Sequence, residues 1–135
     1  MTKKLPKKPL VAVVDDDESM RETMKDLLDS AGFSAVTFPS AESFLKSKRA
    51  RIVSCLITDM RMPGMTGLEL HRQLVASGTS VPTVLITAYP EERTREQALE
   101  EKVVCYLAKP FAADELLACI RSAIEGQPSD SKGLP

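Results

Sequence analysis

Residues 10–17 read Leu10-Val11-Ala12-Val13-Val14-Asp15-Asp16-Asp17, five apolar positions in a row stopped by three acids. A strand that is apolar at every position has both faces covered, which is the condition of parallel sheets packed between helices. The period then changes. Met20, Met24, Leu27, Leu28 and Ala31 fall at helical spacing, and Gly32 stands where a helix stops on a left-handed residue.

The same alternation repeats down the chain. Residues 34–38 predict a second strand, and Ser40 predicts the cap of a short helix with Phe44 and Leu45 inward. Residues 52–58 predict a third strand running into Asp59. Thr66 with Glu69 three residues on forms a capping box, opening a helix that carries Leu70 and Leu74 and ends near Gly78. Residues 81–87 predict a fourth strand. Residues 91–102 predict a highly charged helix with Ala98 and Leu99 as its apolar anchors. Residues 103–107 predict a fifth strand, and Ala113, Leu116, Leu117, Ile120 and Ile124 share one face of a last helix. Five strands alternating with five helices predict right-handed βαβ units, an α/β class and a parallel sheet covered on both sides.

The 135 residues suit one domain, expected at 10–125, with a basic, proline-broken tail at 1–9 and a disordered tail or linker start at 126–135. Eighteen basic residues against 19 acidic give a net charge of -1, which argues against direct nucleic-acid binding by this domain. The start of the chain does not read as a signal peptide, and no stretch nears the ~20 apolar residues of a membrane span. A cytoplasmic protein with no membrane partner is the expectation. Cys55, Cys105 and Cys119 contain no CxxC pair and read as small apolar residues kept reduced; with His71 as the sole histidine, no zinc site is expected. His71 itself reads as a surface or satisfied core residue.

In a parallel α/β sheet, ligands bind beyond the carboxyl ends of the strands. Those ends carry Asp15, Asp16 and Asp17 (first), Asp59 (third), Thr87 (fourth) and Lys109-Pro110 (just past the fifth). Carboxylates gathered at one rim repel each other unless a cation neutralises them. Oxygen donors without His or Cys suit a hard ion, Mg²⁺ above all. Lys109 adds a cation and Thr87 a hydroxyl, completing the parts of a phosphoryl-transfer site: a carboxylate nucleophile, a metal, and donors for the transferred oxygens. No Gly-rich phosphate loop follows the first strand, so the donor should be a small phosphorylated group or a phosphorylated side chain. Asp17 and Glu18 read as turn or cap residues.

Four segments, Val13-Val14-Asp15-Asp16-Asp17, Thr58-Asp59-Met60-Arg61-Met62-Pro63-Gly64-Met65-Thr66-Gly67, Leu85-Ile86-Thr87-Ala88 and Tyr106-Leu107-Ala108-Lys109-Pro110-Phe111, together resemble the receiver domain of two-component response regulators. The resemblance covers about residues 10–125. It implies a doubly wound, flavodoxin-like, five-stranded parallel sheet of order 2-1-3-4-5 with helices on both faces. It implies that Asp59 accepts a phosphoryl group from a sensor histidine kinase. Asp15, Asp16, Asp59 and the Arg61 backbone carbonyl would then hold Mg²⁺, Thr87 and Lys109 would contact the phosphoryl group, and Thr87 with Tyr106 would form a switch. The face at 91–120 would regulate partner binding, to a downstream effector, to the protein's own output domain, or to a second copy in a homodimer.

The chain departs from the family pattern twice. Lys102-Val103 replaces a usual Gly-Ala pair, so the fourth helix is expected to end differently or fray. Arg61 and Tyr89, each two residues past a site residue, are bulky enough to shield the phosphoryl group. A phosphatase acting on small molecules would need a second acid where Arg61 stands, and a flavodoxin-like cofactor binder would need the missing loop.

Overall fold

The computed structural model describes residues 8–125, so the expected tails lie outside the described residues apart from Lys8 and Pro9. In chain order the elements are β1 (Leu10–Val14), α1 (Glu18–Ser30), β2 (Ser34–Phe38), α2 (Ala41–Ser47), β3 (Cys55–Asp59), α3 (Gly67–Ala76), β4 (Thr83–Thr87), α4 (Glu92–Glu100), β5 (Cys105–Ala108) and α5 (Ala113–Glu125). The strands form one parallel sheet of order β2-β1-β3-β4-β5, the doubly wound, flavodoxin-like arrangement.

β1 shows why its sequence lacks alternation. Val11 and Val13 pack with Met24 and Leu28 of α1 and Leu116 and Ile120 of α5. Ala12 and Val14 pack on the other side, with Phe44 of α2 and Leu70 and Leu74 of α3. Each face of the strand is a core face. Among the described residues no helix is long and apolar enough to cross a membrane.

Polar residues fix where the helices begin. The Asp17 carboxylate accepts from the Ser19 and Met20 N–H groups, Ser40 Oγ accepts from Ser43 N–H, and the Thr66–Glu69 capping box closes in both directions. His71 is buried, with Nδ1 3.2 Å from Thr83 Oγ1 and Nε2 2.7 Å from the Glu101 carbonyl. A carbonyl only accepts, so Nε2 carries a proton and donates; the histidine is a satisfied core residue.

Several sequence expectations need correction. β3, β4 and β5 begin two to three residues later than predicted, because Ile52, Val81 and Val103 lie in the preceding turns; Ile52 is 63% exposed. On α4 only Ala98 is an anchor, since Leu99 points outward and is 37% exposed. On α5 Ala113 is exposed, while Ala123 joins the core. Cys105 and Cys119 are not a pair of isolated thiols. They form a disulfide, with Cα atoms 6.1 Å apart, because α5 folds back onto the sheet and brings both cysteines to the margin of one core cluster. Cys55 is free and buried, and burial pushes its thiol up to about 12.

The end of α4 is the other correction. Lys102 keeps the left-handed conformation, φ 75°, without glycine. Its N–H reaches the Leu99 carbonyl at 3.0 Å and the Val103 N–H reaches the Ala98 carbonyl at 3.0 Å, which is a Schellman motif. Val103 and Ala98 supply its apolar contact in a third cluster with Leu68 and Leu85. These bonds hold the helix end in place against the cost of a Cβ in that region. Lys102→Gly should therefore raise unfolding free energy by about 0.5–1 kcal/mol, read from urea denaturation. No gain would show that the lysine side chain offsets its strained backbone.

Candidate functional site

Because all five strands run the same way, their carboxyl ends share one edge of the sheet. The register sets the neighbours there. Asp59 pairs with Ile86, so Thr87 lies one residue beyond it on β4; Thr87 pairs with Ala108, the last residue of β5, which places Lys109 just past the strand end. Asp15 and Asp16 follow directly on β1.

The acids do meet. Carboxylate oxygens of Asp15, Asp16 and Asp59 lie within 4.8 Å of one another. Asp15 is buried, and its Oδ1 accepts from the Asp17 N–H at 2.9 Å. Asp16 is exposed at the mouth of the cluster. The Lys109 ammonium stands 3.5 Å from Asp15 Oδ2 and 3.6 Å from Asp59 Oδ2. Among the described residues Lys109 is the cation paired with these carboxylates, while the Arg21 guanidinium donates to the Asp15 backbone carbonyl at 2.8 Å. The Asp59 carboxyl is held above its usual range, first by burial and then by the charge of Asp15; Lys109 pulls the other way, Asp16 adds repulsion, and the Met60 N–H stabilises the anion. These three acids could hold a metal, and the all-oxygen donor set fits a hard divalent ion.

Thr87 is 1% exposed, and its Oγ1 accepts from the Tyr89 N–H at 3.0 Å, which leaves its own proton available to an acceptor. The Lys109–Pro110 bond is cis. Arg61 does not point at the acids. Its guanidinium lies 4.8 Å from the centre of the Tyr89 ring, a cation–π contact joining the loops after β3 and β4. Both residues line a cavity of about 380 Å³ with Met60, Thr87, Thr94 and Tyr106. The Tyr106 ring packs beside Leu85 and Val103, and its hydroxyl accepts from the Glu91 N–H at 3.4 Å.

Two positioning residues were not singled out from sequence. Gly67, the first residue of α3, presses on the backbone of Asp59: a Cβ there would lie 2.5 Å from the Asp59 carbonyl oxygen and 2.9 Å from Leu85 Cδ2. Gly67→Ala should cost about 1–3 kcal/mol and shift Asp59, slowing whatever chemistry occurs on it; denaturation together with the labelling assay below reads both effects. Glu42 of α2 accepts from the Met65 N–H at 3.3 Å, pinning the loop between β3 and α3. The glycine was visible inside the quoted Pro63–Gly67 segment, whereas the glutamate, 23 residues away, had no local signal.

Residues 11–121 match the family model described as the response regulator receiver domain. The chain belongs to that family of two-component signalling domains, whose role is phosphorylation-dependent signalling rather than metabolic turnover. It is 38% identical over 117 residues to the C4-dicarboxylate transport transcriptional regulatory protein DctD of Rhizobium meliloti, covering 87% of this chain and 25% of that one. It is 37% identical over 114 residues to the transcriptional regulatory protein FixJ of Bradyrhizobium diazoefficiens, covering 84% of this chain and 56% of that one. The chain thus spans between a quarter and just over half of these relatives. Among solved structures, the response regulator StyR superposes with a TM-score of 0.81 at 43% identity, covering 87% of this chain and 60% of that one. FixJ-N superposes with a TM-score of 0.80 at 31% identity, covering 92% and 99%.

Proposed function

We propose that this domain takes a phosphoryl group onto Asp59 from a phosphohistidine of a sensor histidine kinase, in a Mg²⁺-dependent reaction in the cytoplasm. The observation that carries the reading is the unbalanced rim, in which Asp15, Asp16 and Asp59 crowd together and, among the described residues, Lys109 is the ammonium paired with two of them. Asp15, Asp16, Asp59 and the backbone carbonyl of Arg61 are the groups that would hold Mg²⁺. When bound, the ion would neutralise the acids and the incoming phosphoryl oxygens.

An Asp59 carboxylate oxygen attacks phosphorus, the phosphorus–nitrogen bond of the donor breaks, and an acyl phosphate forms. Lys109 moves its charge from the carboxylates to a phosphoryl oxygen, and the Thr87 hydroxyl donates to another. Drawing Thr87 toward the phosphate opens space for Tyr106, and the face at 91–120 changes its affinity for a downstream effector, an output domain or a second copy of the chain. The domain itself makes no direct nucleic-acid contact. Arg61 and Tyr89, joined over the neighbouring cavity, limit the approach of water.

Incubation with acetyl phosphate and Mg²⁺ tests the chemistry. Intact mass should rise by one phosphoryl group, and a chelator should prevent it. A chain that stays unmodified with Mg²⁺ present, or is modified equally well with chelator, would sink the proposal. For the switch, adding beryllofluoride and Mg²⁺ should move the NMR shifts of residues 91–120; unmoved shifts would refute it.

A further inference from the structure

The Cys105–Cys119 pair lies away from the acidic rim and takes no part in phosphoryl transfer. Cys105 is on β5, the edge strand, which among the described residues pairs with β4 alone. Cys119 is on α5, fourteen residues further on, and both cysteines border the core cluster that holds Leu116 and Ile120. The Cα separation of 6.1 Å falls within the span a disulfide bridges without moving the backbone. Both residues are only partly buried, at the margin of the core formed with Leu116 and Ile120. Cys55 is the opposite case, with no exposure and a thiol whose protonated form is favoured to about 12. The chain thus holds one paired, accessible site and one inert thiol.

We propose that Cys105 and Cys119 form a reversible two-electron redox site that clamps α5 to the edge strand when oxidised. In a reducing compartment a permanent structural bond does not persist, whereas a bond between accessible, correctly spaced thiols forms and opens with the redox state. The oxidant belongs to the peroxide class. One thiolate attacks a peroxide oxygen and becomes a sulfenic acid as the first water leaves. The second thiol attacks that sulfur and the second water leaves, so two S–H bonds are exchanged for one S–S bond while peroxide is reduced. A dithiol reductant reverses the step by thiol exchange. With the bond open, the apolar packing of the shared core cluster is left to hold α5 against the sheet, and the two should separate more readily. On the reading that residues 91–120 transmit phosphorylation, oxidation is a second input to the same face.

The test uses the full chain and does not depend on phosphorylation. Protein reduced with dithiothreitol, exposed to hydrogen peroxide and then alkylated in denaturant should lose two of its three alkylatable thiols, keep Cys55, and yield one peptide pair joining residues 105 and 119. Dithiothreitol added to the folded oxidised protein should restore all three. Three reactive thiols after peroxide, a bond between two chains, or a bond that resists reduction in the folded state would each overturn the proposal. Hydrogen exchange in α5 should slow on the order of tenfold or more on oxidation. Cys105→Ser and Cys119→Ser proteins should show no such change. Equal exchange in the reduced and oxidised wild-type chain would refute the clamp.

Discussion

An Asp59→Asn chain stays at its unmodified mass in acetyl phosphate and Mg²⁺, and in metal-free buffer its thermal midpoint rises by a few degrees. The first effect is a complete loss, because an amide of the same shape offers no carboxylate oxygen to attack phosphorus. The second follows from the crowding of Asp15, Asp16 and Asp59. Burial and the Asp15 charge lift the folded-state pKa of Asp59 above its ordinary value. A group shifted upward contributes stability that is fully present below about pH 4, the ordinary range for aspartate, and is lost as pH rises through the folded value. Above the folded value the carboxylate of metal-free wild type is ionised at a cost in stability, and the Asn variant is relieved of that part. Urea denaturation from the acid range to neutrality, with and without Mg²⁺, checks both halves. A variant less stable than wild type at neutral pH would mean that the Lys109 ion pair outweighs the repulsion.

Phe44→Ala should cost about 3–5 kcal/mol, the largest loss of stability expected from one side chain here. Phe44 has no exposure and meets Phe38 edge to face, with centroids 5.3 Å apart at 70°. It is the only large side chain fully buried on α2, a helix of seven residues whose stability comes from packing rather than length. The damage reaches the rim by two routes. Phe38 closes β2 opposite Val14, and its carbonyl accepts from the Asp15 N–H at 3.1 Å. Glu42 on the same helix pins the loop that follows Asp59. The variant should therefore label more slowly under conditions where it is still folded. A loss below about 1.5 kcal/mol in urea denaturation would show that α2 collapses into the space left behind.

How far the sequence could be read depended on the range of each interaction. β1 and β2 were located to the residue, since their apolar runs are bounded by acids on one side and by Gly32 and Pro39 around the other. The caps at Ser40 and Thr66 are local hydrogen bonds and were legible for the same reason. Strand starts at 52, 81 and 103 were not, because an apolar residue in a connecting segment, exposed like Ile52 or buried like Val81 and Val103, looks the same in sequence as one in a ladder. The acidic rim was legible because parallel topology converts strand ends into neighbours, and Asp15, Asp16 and Asp59 came together as that rule requires. Long-range tertiary facts escaped. The Cys105–Cys119 bond needs the path of α5 back onto the sheet, and Glu42 needs the fold of α2 against the loop at 64–65; Lys102 is a local case, whose left-handed backbone is held by Schellman bonds that composition does not reveal.

α4 is secured unevenly. At its carboxyl end the Schellman bonds, His71 on the Glu101 carbonyl and the Arg72 fork on the Glu101 carboxylate, at 2.8 and 2.9 Å, all converge. Its other end begins at Glu91 with no side-chain cap, beside Tyr106 and the Thr87 cavity. A nine-residue helix is a rod of about 13 Å, fastened here at one extremity. On the proposed switch, displacement should be greatest beside Thr87 and smallest at Glu101, so amide exchange in the first turn of α4 should outrun that in its last turn.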